Sequence, residues 1–201
     1  MTRSSLRAIH HHFVVFGLAL LLAACSSATP RTPDTYYDFS LALPPLAFGT
    51  TDSIALQRVD VRGVQSGRAL VVVAGETPRR FQELRGHYWH VAAPTLIERA
   101  FITAMRDASS DARFASADMA KDAPYRITLS VTEFAFQPGE TASIRFDAVV
   151  THKKQGTILS ESYWGSAPVG AGESASAGVT ALSDAASIAF GLMAEELAAA
   201  L

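Results

Sequence analysis

Arg126-Ile127-Thr128-Leu129-Ser130-Val131-Thr132-Glu133-Phe134-Ala135-Phe136, the turn pair Pro138-Gly139 and the segment Ser143 to Lys153 decide the fold. Successive side chains on a strand point to opposite faces. Read that way, the first segment is a long strand with Ile127, Leu129 and Val131 on one face and Phe134 and Phe136 on the other. In the second, Ile144, Phe146, Ala148 and Val150 alternate with Arg145, Asp147 and Thr151, the pattern of a half-buried strand. Gln155-Gly156 turns the chain again, and Thr157 to Tyr163 makes a third strand. Three strands joined by short turns form an antiparallel meander.

Beyond it, small residues from Gly165 to Gly172 read as a loop, followed by a long helix from Ser176 to Leu201. Its apolar residues Val179, Leu182, Ala186, Phe190, Met193 and Leu197 recur every three or four positions, a narrow stripe on one face. Before the meander, Pro94 to Ala108 predicts another helix. Pro94 suits the first helical turn, where its missing N–H is not needed, and Ile97, Phe101, Met105 and Ala108 fall on one stripe.

Further upstream lie shorter strands. Arg68 to Ala74 carries Leu70-Val71-Val72-Val73, a run that predicts a strand covered on both faces. Ser53 to Val61 has two alternating pairs out of phase, Ile54 with Leu56 and Val59 with Val61, which predicts a bulge near Gln57-Arg58. Tyr36 to Leu41 reads as a first strand stopped by Leu43-Pro44-Pro45, because proline cannot donate to a ladder. Arg79 to Leu84 stays open between strand and loop. The order predicts an α+β domain over 35–201: a largely antiparallel sheet with two helices packed on one face.

The N-terminus is an address. Arg3 and Arg7 with His10 to His12 make a basic start, Phe13 to Leu22 is apolar, and Leu22-Ala23-Ala24-Cys25 ends it. The apolar run is shorter than the roughly 20 residues a spanning helix needs. This is the pattern of a bacterial lipoprotein signal over 1–24, with Cys25, the sole cysteine, exposed for acylation. The other readings are an ordinary secretory signal cleaved elsewhere, or a short anchor with Cys25 incidental. Residues 25–34, with Ser, Thr and two prolines, read as a tether. Ser26 after the cysteine favours sorting to the outer membrane, on the periplasmic face of the envelope.

A net charge of −2 implies no general attraction to nucleic acid or to an anionic membrane surface. With Cys25 acylated there is no cysteine nucleophile, disulfide or cysteine metal site. His87 and His90 have a metal-like spacing, but a strand sends their rings to opposite faces and no third ligand accompanies them. Gly63-Val64-Gln65-Ser66-Gly67 lacks the lysine of a phosphate loop, no serine sits in a Gly-x-Ser-x-Gly elbow, and the carboxylates are scattered. The chain therefore reads as a non-enzyme with no metal, and with no cofactor apart from covalent lipid on Cys25. Tyr88-Trp89 and Tyr163-Trp164 have two readings each: rings closing the core, or exposed partner contacts, since Tyr and Trp make good interface anchors.

The lipobox, a first strand with Tyr36, Tyr37 and Phe39, and a Val59-x-Val61 strand form one half of a familiar order. Tyr88-Trp89 ahead of Ala93-Pro94-x-Leu96, the run Leu129-x-Val131-x-Glu133-Phe134 and the last helix complete it. The chain resembles the auxiliary lipoproteins of ABC-type transport systems, the group that includes the lipoprotein of the paraquat-inducible Pqi system. That resemblance implies a non-catalytic subunit anchored in the outer membrane. It would work with a mammalian-cell-entry (MCE) domain protein in moving lipids across the periplasm, in some members as a homo-oligomeric ring. The chain departs from the group in having Tyr88-Trp89 flanked by His87 and His90 where an Arg-Trp is common, so no individual contact residue carries over. A lipid carrier or chaperone, and an envelope-assembly scaffold, are the alternatives from other classes.

Overall fold

The structure, a computed structural model, describes residues 33–75, 78–170 and 174–201. The signal motif Leu22, Ala23 and Ala24, the lipidation residue Cys25 and most of the tether lie outside the described residues. Residues Asp34–Leu201 form one unit.

In chain order the elements are β1 (Thr35–Tyr37), β2 (Ser53–Val61), a 3₁₀ turn (Gly63–Ser66), β3 (Ala69–Ala74), β4 (Arg80–Trp89) and α1 (Ala93–Ala108). They continue with β5 (Arg113–Ser116), β6 (Tyr125–Phe136), β7 (Thr141–His152), β8 (Gly156–Pro168) and α2 (Ala175–Ala200). Among the described residues all eight strands belong to one sheet, and the meander β6–β7–β8 is its spine. Its pairings are antiparallel and long, running from Tyr125 opposite His152 to Phe136 opposite Ala142, and on from Thr141 opposite Pro168 to His152 opposite Gly156.

On its other side β6 changes partner. Residues 125–131 pair in parallel with β2, which in turn pairs in parallel with β5. Phe136 pairs with Val72 of β3, which leads through antiparallel β4 to parallel β1. The sheet is thus two wings sharing one spine. The 3₁₀ turn sits where β2 ends and β3 begins. There the buried Gln65 side chain accepts the backbone N–H of Phe134, which faces the gap between the wings. An orphaned buried N–H is costly, so Gln65 joins the two wings at this point.

The two helices among the described residues lie on one face of the sheet, as expected. Phe190 of α2 stacks on Phe146 of β7 with ring centroids 4.4 Å apart, and Phe101 of α1 meets the Phe190 ring at 5.3 Å. Helix α1 starts with Pro94 in its first turn and buries Leu96, Ile97, Phe101 and Met105. Helix α2 is capped by Ser174, whose hydroxyl accepts from the Ala177 N–H at 3.2 Å. By length and hydropathy α2 could cross a membrane, yet Leu182, Phe190, Met193 and Leu197 are packed into the core.

Several sequence expectations need correction. Phe134 and Phe136 lie on the same face as Ile127, Leu129 and Val131, because an irregularity between Val131 and Glu133 resets the alternation. The first strand ends at Tyr37. Residues 38–50 run as a strap over the helices instead, burying Phe39 and Phe48 and bonding Leu46 N to Ala108 O at 2.8 Å. Of Arg79 to Leu84, the residues from Arg80 on form the start of β4, which continues to Trp89. The supposed loop at Gly165 belongs to β8, which extends to Pro168. Strand β5 had not been anticipated. The bulge expected in β2 is present at Gln57, and β3 is covered on both faces: Leu70 joins the main core, while Val71 and Val73 form a second cluster with Ala135.

Candidate functional site

Trp89 is a core residue. It is 2% exposed, stacks on Phe134 at 5.4 Å and meets Phe39 edge-on at 6.2 Å. Its backbone N–H donates to Arg68 O at 2.7 Å, and His90 N donates to Tyr37 O at 3.1 Å, so the end of β4 is fixed between β3 and β1 before α1 begins. Tyr163 is also buried, its hydroxyl donating to the Glu196 carboxylate on α2. Burial pushes the Tyr163 phenol well above its ordinary value, and the Glu196 hydrogen bond and the charges of Glu196 and Glu161 push it the same way. Both residues close the core.

Their neighbours point the other way. Trp164 is 53% exposed and stands opposite Arg145 in the ladder. Tyr88 is half-buried, opposite Tyr36, with ring centroids 5.9 Å apart. Because Trp89 faces the core, alternation puts Tyr88 and Tyr36 on the helix-free face. Arg68 places its guanidinium 5.4 Å from the centre of the exposed Tyr36 ring.

A third exposed aromatic on this face, Phe81, stands opposite Val73, and the Arg79 guanidinium lies 5.9 Å from its ring. Tyr36 and Phe81 thus each keep an arginine beside the ring. Sequence reasoning passed over both pairs. The available signal was aromatic residues set among arginines where no apolar alternation called for them.

At the centre of this face Glu133 accepts from Arg79 at 2.8 Å and from the Ser143 hydroxyl at 2.6 Å. Burial alone would raise the Glu133 carboxyl. The Ser143 and Arg79 hydrogen bonds and the charges of Arg79 and Arg145 outweigh it and hold the group below the usual carboxylate range. The two histidines of the metal-like spacing are engaged separately. His87 Nδ1 lies 2.9 Å from the Tyr37 hydroxyl, and His90 Nδ1 lies 3.4 Å from an Asp38 oxygen.

Two surface clefts open elsewhere on the domain. One of about 850 Å³ beside β5 mixes Arg106, Arg113 and Lys121 with Asp52, Asp118 and Asp122. The other, about 380 Å³, separates α1 from residues 38–41 of the strap. Among the described residues no three His, Cys, Asp or Glu side chains gather as metal ligands would. What this arrangement offers is a surface of aromatic rings and guanidinium groups suited to contact.

Comparison with solved structures agrees on the architecture. The protein XCC0632 from Xanthomonas campestris, of family DUF330, superposes with a TM-score of 0.65 at 16% identity, over 83% of this chain and 96% of its own. A crystal structure of an uncharacterized protein gives 0.60 at 14% identity, over 80% and 99%. At these identities the likeness is one of fold. No curated protein matches the chain. The model of the family described as the ABC-type transport auxiliary lipoprotein component matches residues 42–193, from the strap through most of α2. The chain belongs to the ABC-type transport auxiliary lipoproteins, and with them it has an auxiliary part in a transport system of the cell envelope.

Proposed function

We propose that this protein is an outer-membrane lipoprotein, acylated at Cys25, that serves as a non-catalytic subunit of an ABC transport system with an MCE-domain protein and supports lipid movement across the periplasm. The family match over 42–193 carries this reading, and the lipobox Leu22-Ala23-Ala24-Cys25 supports it independently. The domain holds the periplasmic end of the transporter near the membrane, alone or as a homo-oligomeric ring.

The packing between sheet and helices favours this over a lipid carrier. A carrier needs an apolar cavity, typically of several hundred Å³. That layer is instead occupied by the fully buried rings of Phe101, Phe146 and Phe190, and Gly165 approaches the backbone of α2 so closely that an added Cβ would strike the Ala185 carbonyl oxygen.

Replacing Cys25 by alanine tests the anchor: the variant should fold and leave the membrane fraction. Affinity capture of the acylated protein from solubilised envelopes tests the partner. Recovery of an MCE protein with its permease and ATPase is expected. Capture of outer-membrane assembly factors in their place would overturn the reading.

A further inference from the structure

The edge formed by β1 and β4 joins features that edge protection does not require. An exposed strand edge is ordinarily blunted by charge, and β4 has it: Arg80 and Arg85 are exposed, as are Arg79 just before the strand and Arg68 beside Tyr36. The acidic groups there are Glu83 on β4, Glu133 paired to Arg79, and Asp34 and Asp38 flanking β1. Yet aromatic rings stand among the arginines. Tyr36 is 55% exposed, Phe81 is 38% exposed and Tyr88 is half-buried. Rings with a guanidinium alongside suit a boundary where one side is apolar and the other carries phosphate.

The chain itself says which boundary. Cys25 and Tyr36 are eleven residues apart, a reach of at most about 40 Å even if fully extended. β1 is therefore the element joined to an anchored cysteine by the shortest stretch of chain.

We propose that this edge rests on the lipid surface that holds the anchor. Tyr36, Phe81 and Tyr88 settle at the headgroup level, and Arg68 and Arg85 meet lipid phosphates. The proposal rests on acylation of Cys25 and adds an orientation: β1 and β4 toward the bilayer, Trp164 on the opposite edge strand β8 away from it. The edge of β8 and the helix layer are then left for the transporter.

The test uses the full acylated protein in vesicles of phosphatidylethanolamine and phosphatidylglycerol, with part of the lipid brominated near the glycerol end of its acyl chains. Intact mass establishes acylation first. Fluorescence quenching is then compared between native protein, where Trp164 reports, and Tyr36→Trp in a Trp164→Phe background; buried Trp89 is common to both.

Quenching at position 36 should exceed that at Trp164 by about twofold or more, as a ring at the headgroup level requires. Changing both Arg68 and Arg85 to glutamine should weaken the contact roughly tenfold or more, with unchanged far-ultraviolet dichroism. An acylated, vesicle-bound protein quenched at neither position overturns the orientation and leaves the anchor standing. Equal quenching at both positions also overturns it. A chain without acyl groups overturns both.

Discussion

Gln65 and Glu133 are the two residues whose removal speaks most directly to how the sheet is joined. Gln65 supplies the acceptor for the Phe134 N–H at the gap between the wings. Leucine in its place keeps the volume and strips the acceptor, leaving a buried donor unpaired, which costs about 1 to 3 kcal/mol. Urea unfolding of Gln65→Leu should show a lowered midpoint with an unchanged slope; a wild-type midpoint would mean that water serves the N–H equally well. Glu133 gives a pH dependence of known sign. Its folded-state carboxyl lies below the ordinary value, so folding favours the ionised form. That stability is fully present above the ordinary glutamate pKa of about 4.3, and it is lost as pH falls through the lower folded value. Glu133→Gln should cost about 1 to 2 kcal/mol at neutral pH, and the difference from wild type should shrink toward pH 3 in parallel urea titrations.

At the scale of elements, the helices, the meander and β2 with its bulge were legible because apolar periodicity is strong wherever one face is buried. The parts that escaped did so for specific reasons. Strand β4 lies at an edge and is exposed over most of its length, so its residues show no alternation. Strand β5 has four residues, too few for a period. Residues 165–168 looked like loop because they are small, yet Gly165 is small where α2 crosses β8 at backbone distance. That last point yields a prediction. Gly165→Ala puts a Cβ against the Ala185 carbonyl oxygen and the Ala189 nitrogen, both in the helix backbone, so relief requires moving the whole of α2. The cost should reach the upper part of the overpacking range, about 3 kcal/mol. Gly170→Ala, where an added Cβ meets nothing within 4 Å, should stay within about 0.5 kcal/mol. Equal melting temperatures for the two variants would show that α2 is not seated so closely on β8. Of the four aromatic residues singled out in sequence, the core claims Trp89 and Tyr163, while Trp164 and Tyr88 face away from the helices. Adjacent residues on a strand part company in this way, which composition alone could not apportion.

For the molecule as a whole, the branching at β6 sets the order in which structure should be lost. β6 is paired along its full length to β7 and, on its other side, to both wings, and residues such as Ile127, Leu129 and Val131 are fully buried. β1 has three residues and a single partner, and β5 has four residues and a single partner. Opening either costs little buried area, whereas exposing β6 requires both wings, β7 and α2 to separate. Local opening free energies range from near zero at frayed edges to the global value in the core. Amide hydrogen exchange should therefore be slowest in β6 and the facing residues of β7, and fastest in β1 and β5. α1 should exchange with β2, on which it packs, and α2 with β7 and β8. If the edge on β1 does rest on lipid, vesicle binding should slow exchange at Tyr36 and Tyr37 while leaving β5 unchanged. Slowing of β5 to the same degree would point to a general stiffening of the domain, and the contact would then not be located at β1.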